Sequence, residues 1–195
     1  KDSSPATTAA AGSRDNTPVV LTGSSDGTVT YGNDSVTVDA SHTEEGYLMV
    51  SYSGSNSKVK LQITGSDEIT YTYNLHDGYE TFPLTSGSGS YTVGVFENIE
   101  GTSYSTLFTQ AIDVTIQDEF GPYLYANQYV NFSADSKVIS KAMELSASAN
   151  DDLEVIENVY NYIITNFTYD YDKAASVQSG YLPDVDDVLA SQTGI

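Results

Sequence analysis

The alternation of apolar and polar positions changes period near residue 118. Between residues 18 and 117 short runs of β-favouring residues alternate, broken by Gly, Ser, Asn and Asp clusters. The pattern predicts strands at 19–22, 35–40, 46–53, 58–64, 69–75, 79–84, 90–98 and 107–116. In "KVKLQIT", Val59, Leu61 and Ile63 point one way and Lys58, Lys60 and Gln62 the other. "GSYTVGVFEN" behaves alike, with Tyr91, Val93 and Val95 on one face. One buried and one wet face per strand, with a turn signal every ten residues or so, predicts an antiparallel β-sandwich. Without a Cys–Trp–Cys framework it is not an antibody-type domain; an immunoglobulin- or fibronectin-like sandwich fits.

From residue 118 the period becomes helical. "EFGPYLYANQYVNF" (119–132) reads as an aromatic connector. A first helix is expected over 135–150, capped by Asp135 or Ser136, with Val138, Ile139, Ala142, Met143 and Leu145 as its stripe. In the second, Asp151 and Glu154 have the spacing of a capping box. Leu153, Ile156, Val159, Tyr160, Ile163, Ile164 and Phe167 follow at helical spacing. Residues 170–184 read as a loop. A third helix is expected at 185–190, capped by Asp184, with Gly194 as its stop or part of the next turn. The expected fold is mainly β with α, with a flexible tether at 1–17, a sandwich at 18–117 and three helices within 118–195. The helical stripes are wide, and residues 118–195 supply no sheet to cover them. Self-association through exposed helices is therefore expected.

Composition narrows the function classes. The 195 residues carry a formal charge of −20, which argues against nucleic acid, whose phosphates are bound by Lys and Arg, and against anionic membrane surfaces. No apolar stretch is long enough to span a membrane. Cys is absent, so the chain has no disulfide, thiolate metal site or thiol nucleophile. The charge and the Ser/Thr/Ala-rich start suit an extracellular or cell-surface bacterial protein, compatible with a lipid anchor upstream of Lys1.

Candidate chemistry is sparse. His42 in "DASHTEEG" and His76 in "NLHDGYE" lie in polar turns, and the His76–Asp77 pair has no nucleophile in a matching context. The acidic clusters 151–152, 170–172 and 184–187 lack the Gly and bidentate Glu of a calcium loop. At 151–152 and 184–187 the acids suit the first turns of helices. Glycosylation triplets start at Asn33, Asn131 and Asn166, a signal that also arises by chance. Tyr-rich strands such as "ITYTYNL" suggest a peptide- or glycan-binding face, peptidoglycan included. No catalytic, cofactor or metal residue is assigned from these patterns.

Two motifs in the second half carry a resemblance. "DDLEVIENVYNYIITNFTYDYDKA" contains Tyr160-Asn161-Tyr162-Ile163 and then Phe167-Thr168-Tyr169-Asp170. "GYLPDVDDVLASQTGI" has an acidic short helix with Val188-Leu189, then Gly194 and Ile195. In order and spacing, residues 119–195 resemble the opening of the transglutaminase-like superfamily, which includes transglutaminases and cysteine proteases. Its secreted bacterial members often carry a sandwich first. The resemblance implies a papain-like α+β domain acting on peptide amides by acyl transfer or hydrolysis. It also implies a catalytic Cys directly after the Gly–apolar pair, with a His and an Asp further on. Neither His42 nor His76 matches the family's His, since both precede the motifs. The expectation is an N-terminal fragment, inert alone, of a protein with protein or peptide substrates. The competing expectation is a non-catalytic surface binding or adhesion module.

Overall fold

The computed structural model describes residues 12–195, which form two compact units, Leu21–Asn131 and the helical residues from Phe132 onward joined by the segment before Leu21. The first unit contains β1 (Leu21–Thr22), β2 (Thr30–Gly32), β3 (Val36–Asp39), β4 (Tyr47–Tyr52), β5 (Val59–Thr64), β6 (Thr70–Leu75), β7 (Gly78–Pro83), β8 (Gly89–Glu100), β9 (Ser103–Val114) and β10 (Tyr125–Ala126). Two four-stranded antiparallel sheets, β2-β3-β4-β7 and β6-β5-β8-β9, are joined by one apolar core. This is the expected sandwich. Val38, Leu48, Val50 and Phe82 from the first sheet meet Leu61, Ile63, Val93 and Val95 from the second, all almost without solvent exposure.

The alternation read from the sequence is the mechanism. Val59, Leu61 and Ile63 are buried while Lys60, Gln62 and Thr64 between them are half-buried on the opposite face. Tyr91 is buried at the start of β8 and its hydroxyl donates to the Gly87 carbonyl at 2.8 Å, a tyrosine corner that ties the strand to its own entry loop. β4 departs from alternation, with Tyr47 and Met49 buried on the face away from the core. The connector is the reason. Tyr125 packs its ring on Tyr47 at 4.4 Å, and β10 pairs in parallel with β1. Gly46, at φ +90°, lets Pro122 approach so closely that an added Cβ would stand 2.5 Å from the proline ring. The connector therefore covers a sheet face, and Gln128 and Tyr129 extend it to Asn74 and Tyr73.

The second unit contains α1 (Lys137–Ser146), α2 (Asp152–Asn166), β11 (Thr168–Tyr169), α3 (Tyr171–Ser176), α4 (Val185–Ser191) and β12 (Thr193–Gly194). Four helices replace the expected three, because Asp170 caps an extra turn by accepting from the Lys173 amide at 2.9 Å. α1 ends earlier than its expected limit. Residues 1–11 of the expected tether lie outside the described residues. Residues 12–16 are not free: Gly12 N–H donates to the Ala147 carbonyl, Ser13 N–H to Asn150, and Arg14 pairs with Asp152 at 2.7 Å. Among the described residues, Ala149 is the unit's only fully buried apolar side chain.

Candidate functional site

The two motifs of the helical unit come together. α2 opens on Asp151, whose carboxylate accepts from the Glu154 amide at 2.9 Å. Glu154 reaches back to the Asn150 amide at 2.7 Å, one residue before the position a standard capping box would use. α2 ends at Phe167, which packs edge-on against Tyr162. β11 then pairs in parallel with β12, setting Thr168 beside Thr193 and Tyr169 beside Gly194. Thr168 N–H donates to the Gln192 carbonyl at 3.0 Å and Asp170 N–H to the Gly194 carbonyl at 2.9 Å. The "Phe-Thr-Tyr-Asp" turn and the "Thr-Gly-Ile" run thus share one two-stranded ladder.

The acids around this ladder act as caps. Asp184 accepts from the amides of Asp186 and Asp187, both at 2.9 Å. Asp186 instead reaches α1, accepting from the Lys137 and Val138 amides at 3.0 and 3.1 Å. That contact places a carboxylate at the positive end of α1, where Ser136 supplies no side-chain cap. No group of three acidic or histidine side chains converges into a metal cage among the described residues. The stop of α4 is not Gly194 but Gln192, held left-handed at φ 54°, while Gly194 lies in β12. Lys173 lies over the Tyr181 ring at 4.8 Å, and that tyrosine raises its ammonium pKa.

One face of α2 is uncovered. Val155, Asn158, Val159 and Tyr162 are half-buried, and Asn158 donates to the Leu145 carbonyl of α1 at 3.0 Å. Leu153, Ile156, Tyr160, Ile163 and Ile164 line a different side and are between 48% and 72% exposed. This is most of the apolar stripe foreseen from the sequence, and among the described residues of the helical unit nothing covers it.

His42 is less isolated than a surface turn implies. Its ring stacks on Tyr47 at 5.3 Å. Nε2 lies 2.9 Å from Asp26 Oδ2 and 3.2 Å from Ser24 Oγ, and Nδ1 lies 3.3 Å from Glu45 Oε2. The Tyr125 hydroxyl donates to Glu45 at 2.9 Å; burial and that carboxylate push its pKa up to about 12. Ser24, His42 and Glu45 have the residue types of a relay, but Asp26 stands closer to Nε2 than Ser24 does. With a carboxylate facing each ring nitrogen, the arrangement is not the Ser–His–acid geometry of a relay. The cluster is a clamp on the loop before β2, and sequence spacing could not show it because its members come from three segments. His76 pairs with Glu80 at 3.0 Å rather than with Asp77, and Glu80 also accepts from Gln128 at 2.7 Å. A shallow depression of about 440 Å³ beside Ser88, Gln117, Asp118 and Tyr123 gathers no such set of groups.

No helix among the described residues is long and apolar enough to cross a membrane. No family model matches the sequence, and no curated protein matches it. Among solved structures, the solution structure of the fn3 domain of human collagen alpha-1(XX) chain is similar at 17% identity and a TM-score of 0.33. That alignment covers 48% of this chain and 90% of the other. The sandwich itself rests on its strand pairing and shared core.

Proposed function

We propose that residues from Phe132 to Ile195 are the leading part of a transglutaminase-like domain, carried behind a β-sandwich in a surface or secreted bacterial protein. The observation that carries this reading is the β11–β12 ladder, which pairs the two motifs on which the resemblance rests. The bare apolar side of α2 supports it, since a helix that is apolar on two sides is built to be covered twice. In this reading the second cover is the sheet of the same domain. The whole protein acts on peptide amides, by hydrolysis or by transfer to an amine.

The chemistry follows from where the ladder leads. In the family a Cys follows the Gly–apolar pair at the start of a buried helix. There the helix dipole favours the thiolate, a His takes the thiol proton, and an Asp orients the His. This sequence holds no Cys, so its own residues position the approach to that thiol and perform no step of the reaction. The test is the reading frame of the gene. A Cys codon directly after Ile195, followed by His and Asp codons, is the expected result. A stop codon or another residue at that position overturns the proposal.

A further inference from the structure

The outer face of the β6-β5-β8-β9 sheet carries a second feature, independent of the helical unit. Strand alternation turns Tyr73 of "ITYTYNL" into the core and leaves Tyr71 at the edge on the same side. Tyr73 is therefore part of the core rather than of an exposed Tyr face, while Tyr71 stays 44% exposed. The outer side presents Thr70, Thr72 and Asn74 instead.

The ring of Phe96 stands on that outer face. Phe96 lies over Gly94, where an added Cβ would come within 2.8 and 3.0 Å of the ring carbons; Thr109 Oγ1 is 3.8 Å from the same point. Next to Phe96 in register is Lys60, whose ammonium donates to the Asn74 side chain, and beyond it Gln62 donates to Thr72 at 3.3 Å.

The charge distribution singles this face out. Between Leu21 and Asn131 there are 14 acidic side chains, and the only Lys or Arg residues are Lys58 and Lys60. Both belong to the run whose polar side faces outward here. Among the described residues neither is ion-paired, although acids outnumber them many times over. The acid nearest in register, Glu97, is turned away and accepts from Tyr52. An aromatic platform, unpaired ammonium groups and a row of amides and hydroxyls on one sheet face are the groups that hold a sugar ring with an acidic substituent. A peptide strand would need free backbone groups, and β5 and β8 are interior strands whose ladders are filled on both sides. A polyphosphate would meet two cations among 14 acids.

We propose that this face binds a saccharide bearing a carboxylate. A pyranose ring rests on Phe96, the carboxylate meets the Lys60 ammonium, and hydroxyls bond to Gln62, Thr72 and Thr109. The test titrates the whole 195-residue chain with oligosaccharides ending in a hexuronic acid and with the same oligosaccharides after carboxyl reduction. Binding of the acidic probes, weaker by about tenfold for the reduced ones, is expected. Lys60→Gln should abolish that difference, and Phe96→Ser should weaken both classes. Thr72→Glu, at an exposed position, should remove binding of the acidic probe while leaving the melting curve of the chain unchanged. No binding of acidic probes at millimolar concentration, equal binding of reduced probes, or unchanged binding by Lys60→Gln and Thr72→Glu would each overturn the proposal. These outcomes are independent of the codons beyond Ile195, so this inference and the transglutaminase-like reading fail separately.

Discussion

At the scale of single residues, Asp39 shows how a charge is kept buried on the outer face of a sheet, beneath the loop before β2. It is 2% exposed at the end of β3. Burial alone would raise its pKa, but hydrogen bonds from Ser41 and from the Gly27 amide outweigh burial and hold the carboxyl below its usual range. The Gly27 bond, at 2.7 Å, ties the loop before β2 to the sheet that also carries the His42 clamp. The folded carboxyl gives up its proton more readily than the unfolded one. Its stabilisation is therefore complete above the ordinary value of 3.8 and is lost as pH falls through the lower folded value. Asp39→Ala should cost about 1–3 kcal/mol near neutral pH, by stranding two backbone donors. Denaturant unfolding at a series of pH values should find that cost shrinking on the acid side. A constant cost across the acid range would show that the carboxylate charge plays no part.

At the scale of elements, α2 is a helix whose start is well specified and whose packing is half made. Asp151 meets the Glu154 amide, Glu154 meets the Asn150 amide, and Arg14 meets Asp152. Helix length alone gives little stability, so the cap and the α1 contact carry most of it. Asp151→Ala should cost about 1 kcal/mol of helix stability. Hydrogen exchange should show the loss as faster exchange confined to the amides of α2 and the residues packed on it, with β4, β5 and β8 unchanged. Exchange rising equally in the sandwich strands would mean that the two units unfold together.

For the whole molecule, the contrast between the units sets behaviour in solution. The sandwich buries a single core drawn from both sheets, whereas the helical unit exposes a row of large aliphatic residues along α2. Apolar area of that kind is held apart from water by a partner when one is present. With no cover supplied, the chain should associate with itself as concentration rises, and Ile163→Asp should shift it toward monomer in sedimentation experiments. A wild-type chain that stays monomeric at high concentration, with slow exchange in α2, would show that the stripe is covered within the chain.

Residue order was enough to specify the sandwich, because a strand with one wet face writes its period into the chain. Val59 to Thr64 could be assigned face by face without coordinates. The start of α2 and its uncovered stripe were legible in the same way, since caps and helical faces depend on residues a few positions apart. Other features arose only when the chain folded. Gln192 rather than Gly194 closes α4, Asp186 caps a helix 49 residues away, and residues 12–16 bind the helical unit. His42 gathers carboxylates from two segments, and Tyr73 of the Tyr-rich strand turns inward while Phe96 and Lys60 meet outside. Each of these depends on which distant segments become neighbours, and local periodicity carries no record of that. The pairing of β11 with β12 stands between the two cases: both motifs were legible in the sequence, and only the fold set them side by side.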